Sequence, residues 1–173
     1  SGAQFNNTVG FFTYTTGTIP TEASIQKVLA FPNASPITKM SDNGNGSLLC
    51  GHEVKLKYWN EAEQKFEDKF PAGVTVGWCL QAMGFNKGNI VNGMGIRYSY
   101  SSMNSDNAQR VVALREKSSD QIVAIGFEDN KDYDYCDAVL YLKVAESGAI
   151  DTDGPELPPV GPPSDLDNTV TYK

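Results

Sequence analysis

The segment QIVAIGFEDNKDYDYCDAVLYLKV, residues 121–144, contains two apolar runs separated by an acidic loop. The runs at 121–127 and 138–144 are rich in β-branched and aromatic residues, which is typical of β-strands. The segment therefore predicts a strand–loop–strand unit, in which the two strand ends hold the ends of the acidic loop close together.

Five carboxylates fall within the ten residues 128–137 of this loop. Two carboxylates about 4 Å apart repel each other by roughly 4 kcal/mol at the dielectric of a protein surface. A hard cation offsets such repulsion, and calcium prefers oxygen ligands of this kind. The loop therefore predicts a bound Ca²⁺ as cofactor, with a solvated acidic turn, offset by Lys131 and Lys143, as the alternative.

The spacing of the acids ranks them as ligands. Asp132 and Asp134 are two residues apart and point to the same side of an extended segment, so we expect both to bind with Asp137. Asp129 can approach from the end of the strand. Glu128 is the least favoured candidate, because it alternates with Asp129 and should face the other way. The loop is not an EF-hand, since its sixth position, counted from Asp132, lacks the required glycine.

Alternation of apolar and polar residues dominates the rest of the chain, as in Glu53–Tyr58, where we expect Val54, Leu56 and Tyr58 to face inward. Clusters of Gly and Asn separate the alternating runs. The pattern predicts an all-β fold, a two-sheet antiparallel sandwich that is jelly-roll-like. A short helix is predicted at 21–28, with Thr21 as its cap. The predicted strands are 9–14, 26–31, 53–59, 74–82, 95–100, 110–116, 121–128 and 137–144.

The composition predicts two segments in this chain of 173 residues. Residues 1–145 form the β-sandwich domain. Residues 146–173 contain five of the nine prolines and several acids, so they are predicted to form a Pro-rich acidic linker that leads to a following domain. Further domains of the same chain are therefore the expected partners.

The net charge of −7 disfavours nucleic acid and anionic membrane surfaces as partners. No run of residues approaches the ~20 apolar residues that cross a bilayer, so no direct membrane insertion is expected. The balance suits an extracytoplasmic protein that is secreted or held at the cell surface, where divalent cations are available.

Side chains for catalysis are scarce, so a non-enzymatic role is predicted. The only histidine, His52, lies two residues from Cys50 in a turn, where the two side chains do not converge productively. The three cysteines, Cys50, Cys79 and Cys136, are too few and too scattered for a disulfide framework or a zinc site. We expect them to be buried free thiols that serve as small apolar residues, and the alternative is a disulfide between one pair of them that joins two strands.

Aromatic residues provide weaker candidates for ligand binding. Tyr98 and Tyr100 share one face of a predicted strand, which is either a binding platform or a buried face. Trp59 is a third candidate, whereas Trp78 lies in an apolar strand and is expected in the core.

The motif GFED…DYDYCDAVLYL resembles the signature Phe-Glu-Asp … Asp-x-Asp-x-Asn-Asp of an uncharacterised family of β-sandwich domains in bacterial surface proteins. The family includes LruC-type and related secreted or surface proteins of Bacteroides-like organisms. Residues 6–35, 70–85 and 96–116 are similar to the same family, so the resemblance spans most of residues 5–145. The family usually has Asn before the final Asp, where this chain has Cys136, and a thiol is a poor partner for calcium.

The resemblance implies a β-sandwich of the cell surface whose acidic motif binds calcium. Two functions remain open. The first is a Ca²⁺-binding structural module of a larger bacterial surface protein. The alternative is an adhesin-like or lectin-like module that binds a surface glycan or protein. An exposed aromatic patch beside the acidic loop would favour this alternative, and burial of all large aromatic residues would favour the structural module.

Overall fold

A computed structural model describes residues 5–34, 53–115 and 122–143, all of which belong to one compact unit, Ser1–Lys143. The predicted linker at 146–173, Cys50 and His52 lie outside these residues, so the expectations for them stay predictions. Within the described ranges there is no helix long and apolar enough to cross a membrane.

In the part of the chain that the structure describes, eleven β-strands form two larger sheets and two small hairpins, and the strand pairings there are all antiparallel. The first sheet has the order β2-β1-β5-β8, with β1 at Thr8–Thr15, β2 at Gln26–Phe31, β5 at Val74–Gln81 and β8 at Ile96–Tyr98. The second sheet has the order β11-β10-β9, with β9 at Val111–Arg115, β10 at Ile122–Phe127 and β11 at Ala138–Tyr141. The hairpins are β3 (Tyr58–Asn60) with β4 (Lys65–Glu67) and β6 (Phe85–Asn86) with β7 (Asn89–Ile90), and a 3₁₀ turn spans Ser101–Met103.

The two larger sheets share one hydrophobic core. The first sheet contributes Val9, Phe11 and Leu80, and the second contributes Ile125 and Phe127. Because side chains from both sheets pack in the same cluster, the sheets face each other as in a β-sandwich. The predicted all-β class is confirmed.

A second cluster covers the opposite face of the first sheet. Phe12, Cys79 and Tyr98 are buried there, with Tyr14 and Met103 packed against them. Burial raises the pKa of the Cys79 thiol to about 12. Cys79 therefore serves as a small apolar residue, as predicted, and β1 has apolar side chains on both of its faces.

Two local predictions are wrong. Strand 53–59 is reduced to β3, and residues 53–57 carry no regular structure. Val54, predicted to face inward, is 43% exposed, and only Leu56 and Tyr58 are partly buried. Lys55 and Lys57 both pair with Asp68 at the surface, and Leu56 packs against the core, so the alternation marks a partly buried face without regular strand pairing.

The predicted helix at 21–28 is also absent. The Ser24 N–H donates to the Thr21 carbonyl, and the Thr21 N–H donates to the Ser24 hydroxyl, so the two residues close a turn. Chain pairing with β1 then begins at Gln26. Hydroxyl side chains that bond the nearby backbone favour a turn over a helix. The pairing of residues 26–31 with β1 also excludes a helix over the second part of the predicted range.

We predict that Gly77→Ala destabilises the fold by about 1–3 kcal/mol, as overpacking of a core typically does. Phe12 lies opposite Gly77 in the β1–β5 ladder, and a Cβ at position 77 would lie 2.3 Å from the Phe12 ring. Urea unfolding of the single variants and of the double variant with Phe12→Leu provides the measurement. The cost of Gly77→Ala should shrink in the Phe12→Leu background, and an equal cost in both backgrounds would contradict this account.

Candidate metal centre

The ladder between β10 and β11 determines where the acidic loop begins and ends. Its last pair is Phe127 with Ala138, and the Asp137 N–H donates to the Phe127 carbonyl at 3.2 Å. On the other side of β10, the Glu128 N–H donates to the Arg110 carbonyl at 2.9 Å. Glu128 and Asp137 are therefore held at the base of the loop by the backbone of the sheet.

The loop curves tightly above this base. Tyr133 and Tyr135 adopt left-handed backbone conformations, with φ of 57° and 52°. Such conformations cost roughly 1–3 kcal/mol each for residues other than glycine. Gly126 permits the close approach of the loop to β10, because a Cβ there would lie 2.6 Å from the Tyr135 carbonyl oxygen. The loop thus folds back over its own strand.

Four carboxylates converge in this loop. Glu128, Asp132, Asp134 and Asp137 each offer one oxygen, and these oxygens all lie within 4.8 Å of one another. Glu128 and Asp137 are buried, whereas Asp132 and Asp134 are exposed. We call these four residues the carboxylate cluster. Its floor is buried in the protein and its rim faces solvent.

One carboxylate oxygen of Glu128 is buried without a hydrogen-bond partner among the described residues. The Glu128 side chain is fully buried, and its Oε1 accepts a hydrogen bond from the Asn130 N–H at 3.0 Å. Its Oε2 has no hydrogen-bond partner among the described residues. A buried charged oxygen without a partner costs at least about 1–3 kcal/mol, so this atom calls for a proton or a cation.

Asp129 stands apart from the cluster as a structural residue. Its side chain accepts a hydrogen bond from Asn7 Nδ2 at 2.7 Å, and its carbonyl accepts one from Arg97 Nε at 3.2 Å. Its own N–H donates to Asp137 Oδ2 at 2.7 Å. Asn7 is buried directly before β1, so Asp129 links the position of Asp137 to the first sheet.

All five acids were predicted as ligands, and the structure reverses the order of two of them: Glu128, ranked last, lies in the cluster, and Asp129, ranked above it, does not. Asp132, Asp134 and Asp137 come together as expected, but Glu128 joins them and Asp129 does not. The expectation assumed strand alternation through position 129. β10 ends at Phe127, and Glu128 curls toward the Asn130 N–H, so the period of two no longer applies.

Arg110 is a second structural residue that the sequence analysis missed. The guanidinium is buried and donates to the Asn130 carbonyl, and it also pairs with Asp106. It lies over the Tyr133 ring, 5.6 Å from the ring centre. An arginine in front of the apolar run 111–114 is the one signal that could have identified it, because arginine is seldom buried without a polar role.

Cys136 contacts a cluster member directly. Its N–H and its thiol both donate to the Asp134 carboxylate, each at 2.9 Å. These two hydrogen bonds lower the pKa of Asp134. The position at which the sequence departs from the resembling motif is therefore in contact with a candidate ligand.

The carboxylates at the floor of the cluster have raised pKa values, whereas the pKa of Asp134 on the rim is lowered. Burial raises the pKa of Glu128, Asp129 and Asp137, and that of Asp137 reaches about 6. Repulsion from neighbouring carboxylates adds to the shift in all three. A cation placed among these groups would reverse the effect, because it favours their charged forms.

The predicted aromatic candidates lie in three different environments. Tyr98 is buried against Phe12 and donates its hydroxyl to Glu22. Tyr100 packs edge-on against Tyr14. Trp59, on β3, packs edge-on against Phe66, which fits a hairpin contact. The burial of Tyr98 corresponds to the core alternative.

The fold and the cluster define an all-β sandwich module with an acidic loop between two paired strands. Residues 70–145 match the family model described as Domain of unknown function (DUF4114). The match includes β5, β8 and the whole of the second sheet with its acidic loop. Neither a curated protein nor a solved structure matches the chain.

We predict that the metal-free protein loses stability as the pH rises from 5 to 7. The raised pKa values of Glu128, Asp129 and Asp137 mean that the folded state binds more protons than the unfolded state in this range, so deprotonation opposes folding. Four other acids have lowered pKa values, and their effect on stability changes only below this pH range: Glu22, Asp68, Asp106 and Asp134.

Urea unfolding in EDTA at the two pH values measures this difference. Asp137→Asn should reduce it, because the amide oxygen still accepts the Asp129 N–H without titrating. Asp68→Asn, at an exposed acid far along the chain, should leave it unchanged. A metal-free stability that rises from pH 5 to pH 7 would contradict the electrostatic description of the loop.

Proposed function

We propose that this chain is a calcium-binding β-sandwich module in which one Ca²⁺ ion occupies the carboxylate cluster and fixes the β10–β11 loop. Glu128, Asp132, Asp134 and Asp137 supply the ligands, and Asp129 positions Asp137. The observation that carries the proposal is the fully buried Glu128: its Oε2 has no hydrogen-bond partner among the described residues, and its carboxylate belongs to a cluster of like charges.

The donor set favours calcium over other biological cations. All four candidate ligands are carboxylates, and hard oxygen ligands suit Ca²⁺ and Mg²⁺ rather than metals that prefer nitrogen or sulfur. Mg²⁺ demands a near-ideal octahedron and keeps several waters, whereas Ca²⁺ accepts six to eight oxygens in irregular arrangements. A curved loop with a buried floor and an exposed rim suits the more permissive ion.

We further propose a non-enzymatic structural role in a bacterial surface or secreted protein, with further domains of the same chain as partners. The resemblance to surface-protein domains supports this location, and the match to a domain of unknown function covers the acidic loop. An extracellular setting supplies millimolar calcium, which compensates for a site of modest affinity.

We predict that millimolar calcium raises the melting temperature at pH 7. An ion that binds only the folded state stabilises it by about 2.7 kcal/mol at a hundredfold excess over Kd. Differential scanning fluorimetry in EDTA, Ca²⁺ and Mg²⁺ measures the shift, which should be largest with Ca²⁺. A melting temperature that is identical in EDTA and in calcium would leave the alternative of a solvated acidic turn.

Glu128→Gln should have opposite effects in the two conditions. In EDTA it should stabilise the fold by about 1 kcal/mol or more, because it removes a buried charge that has only one hydrogen bond, at Oε1, among the described residues. In calcium it should lose the stabilisation seen in the unmodified protein, because a ligand is gone. Asp68→Asn is the matched control and should keep the full response to calcium. Loss of stability in EDTA would show that the Glu128 charge is satisfied without an ion.

Cys136→Asn should strengthen calcium binding. The thiol now holds the Asp134 carboxylate, and an amide at this position restores an oxygen that can coordinate or accept hydrogen bonds. Titration calorimetry with Ca²⁺ should give a lower Kd for the variant than for the unmodified protein. An unchanged or higher Kd would show that position 136 has no part in the affinity.

A further inference from the structure

We propose that the bound ion, together with the Tyr133 ring, forms a binding site for a neutral carbohydrate with two adjacent hydroxyl groups. This inference rests on the proposed calcium site and assigns its open side a ligand. The exposed rim and the position of Tyr133 carry the argument.

The ion would sit at the protein surface rather than in a closed cage. Asp132 and Asp134, on the rim of the cluster, are exposed, while Glu128 and Asp137 close its floor. Four carboxylates that each bind through one oxygen leave about two to four of the six to eight positions that Ca²⁺ fills. Those positions face solvent, where water or a pair of hydroxyl oxygens can occupy them.

Tyr133 provides the second half of the site. It lies between Asp132 and Asp134 in the chain and is 51% exposed. The Arg110 guanidinium is held by the Asn130 carbonyl and by Asp106, and it lies over the Tyr133 ring. The buried Arg110 therefore holds the ring from one side, while the residue as a whole stays half exposed, and an exposed ring face is what the apolar face of a sugar requires for stacking.

The net negative charge of the site disfavours an acidic ligand. The four carboxylates of the cluster outweigh the two charges of Ca²⁺, and the whole chain carries −7. A carboxylate from a protein partner would meet a field that stays negative after the ion has bound. Neutral hydroxyl groups can coordinate the ion without this repulsion.

Saturation-transfer difference NMR with methyl α-mannoside, methyl α-fucoside and methyl β-galactoside tests the proposal on the full chain. We expect transfer to at least one sugar in calcium and its loss in EDTA. Tyr133→Asn removes the ring but suits the left-handed backbone at this position. It should lose the sugar signal and keep the calcium-induced rise in melting temperature, whereas Tyr133→Phe should keep both.

Tyr141→Ala is the matched control, because Tyr141 is 71% exposed on β11 outside the loop. It should bind sugar normally. Calcium binding without transfer to any of the three sugars would overturn this inference and leave the proposed function standing. Failure of calcium to bind would overturn both. Transfer to an acetyl-aspartate amide instead of the sugars would assign the site to acidic protein partners and reject the carbohydrate.

Discussion

The antiparallel ladder of β10 and β11 is the constraint on which the acidic loop depends. Its final pair, Phe127 with Ala138, belongs to the shared core, so the two ends of the loop are held by packing as well as by backbone hydrogen bonds. Glu128 and Asp137 follow directly from this pair and have no freedom to separate. Protons offset the repulsion between them at low pH, and the proposed cation would offset it at neutral pH.

The loop is also tied to both sheets. Asn7, directly before β1, holds the Asp129 side chain, and Arg97 of β8 holds its carbonyl. Arg110, directly before β9, holds the Asn130 carbonyl. Stabilising the loop therefore stabilises contacts between the two layers of the sandwich. An ion that orders the loop would therefore raise the stability of the whole module, as the proposed function requires.

The β-class and most strands followed from the sequence because alternation and turn residues are local signals. Six strands lie within a residue or two of their predicted ranges, namely β1, β2, β5, β8, β9 and β10, and β11 ends three residues before its predicted end. Residues 53–57 show the same alternation, with surface lysines that pair with Asp68, but they carry no regular structure. Only the tertiary structure distinguishes such a segment from a paired strand. The convergence of Asp132, Asp134 and Asp137 was likewise predictable from spacing.

The other site residues were beyond sequence reasoning for a physical reason. The reversed order of Glu128 and Asp129 as ligand candidates depends on the residue at which β10 ends, and a sequence pattern defines strand ends least well. The contact of Asn7 with Asp129 joins residues 122 positions apart, and the contact of Arg110 with Tyr133 depends on the curvature of the loop. The local sequence pattern predicts neither contact.

A crystal structure of the protein grown with Tb³⁺, a luminescent and strongly scattering substitute for Ca²⁺, tests the central claim most directly. The account predicts an anomalous peak coordinated by oxygens of Glu128, Asp132, Asp134 and Asp137, with the Asp129 side chain still bonded to Asn7. A well-ordered loop with no peak at this position, or a peak coordinated by Asp129 in place of Glu128, would contradict it.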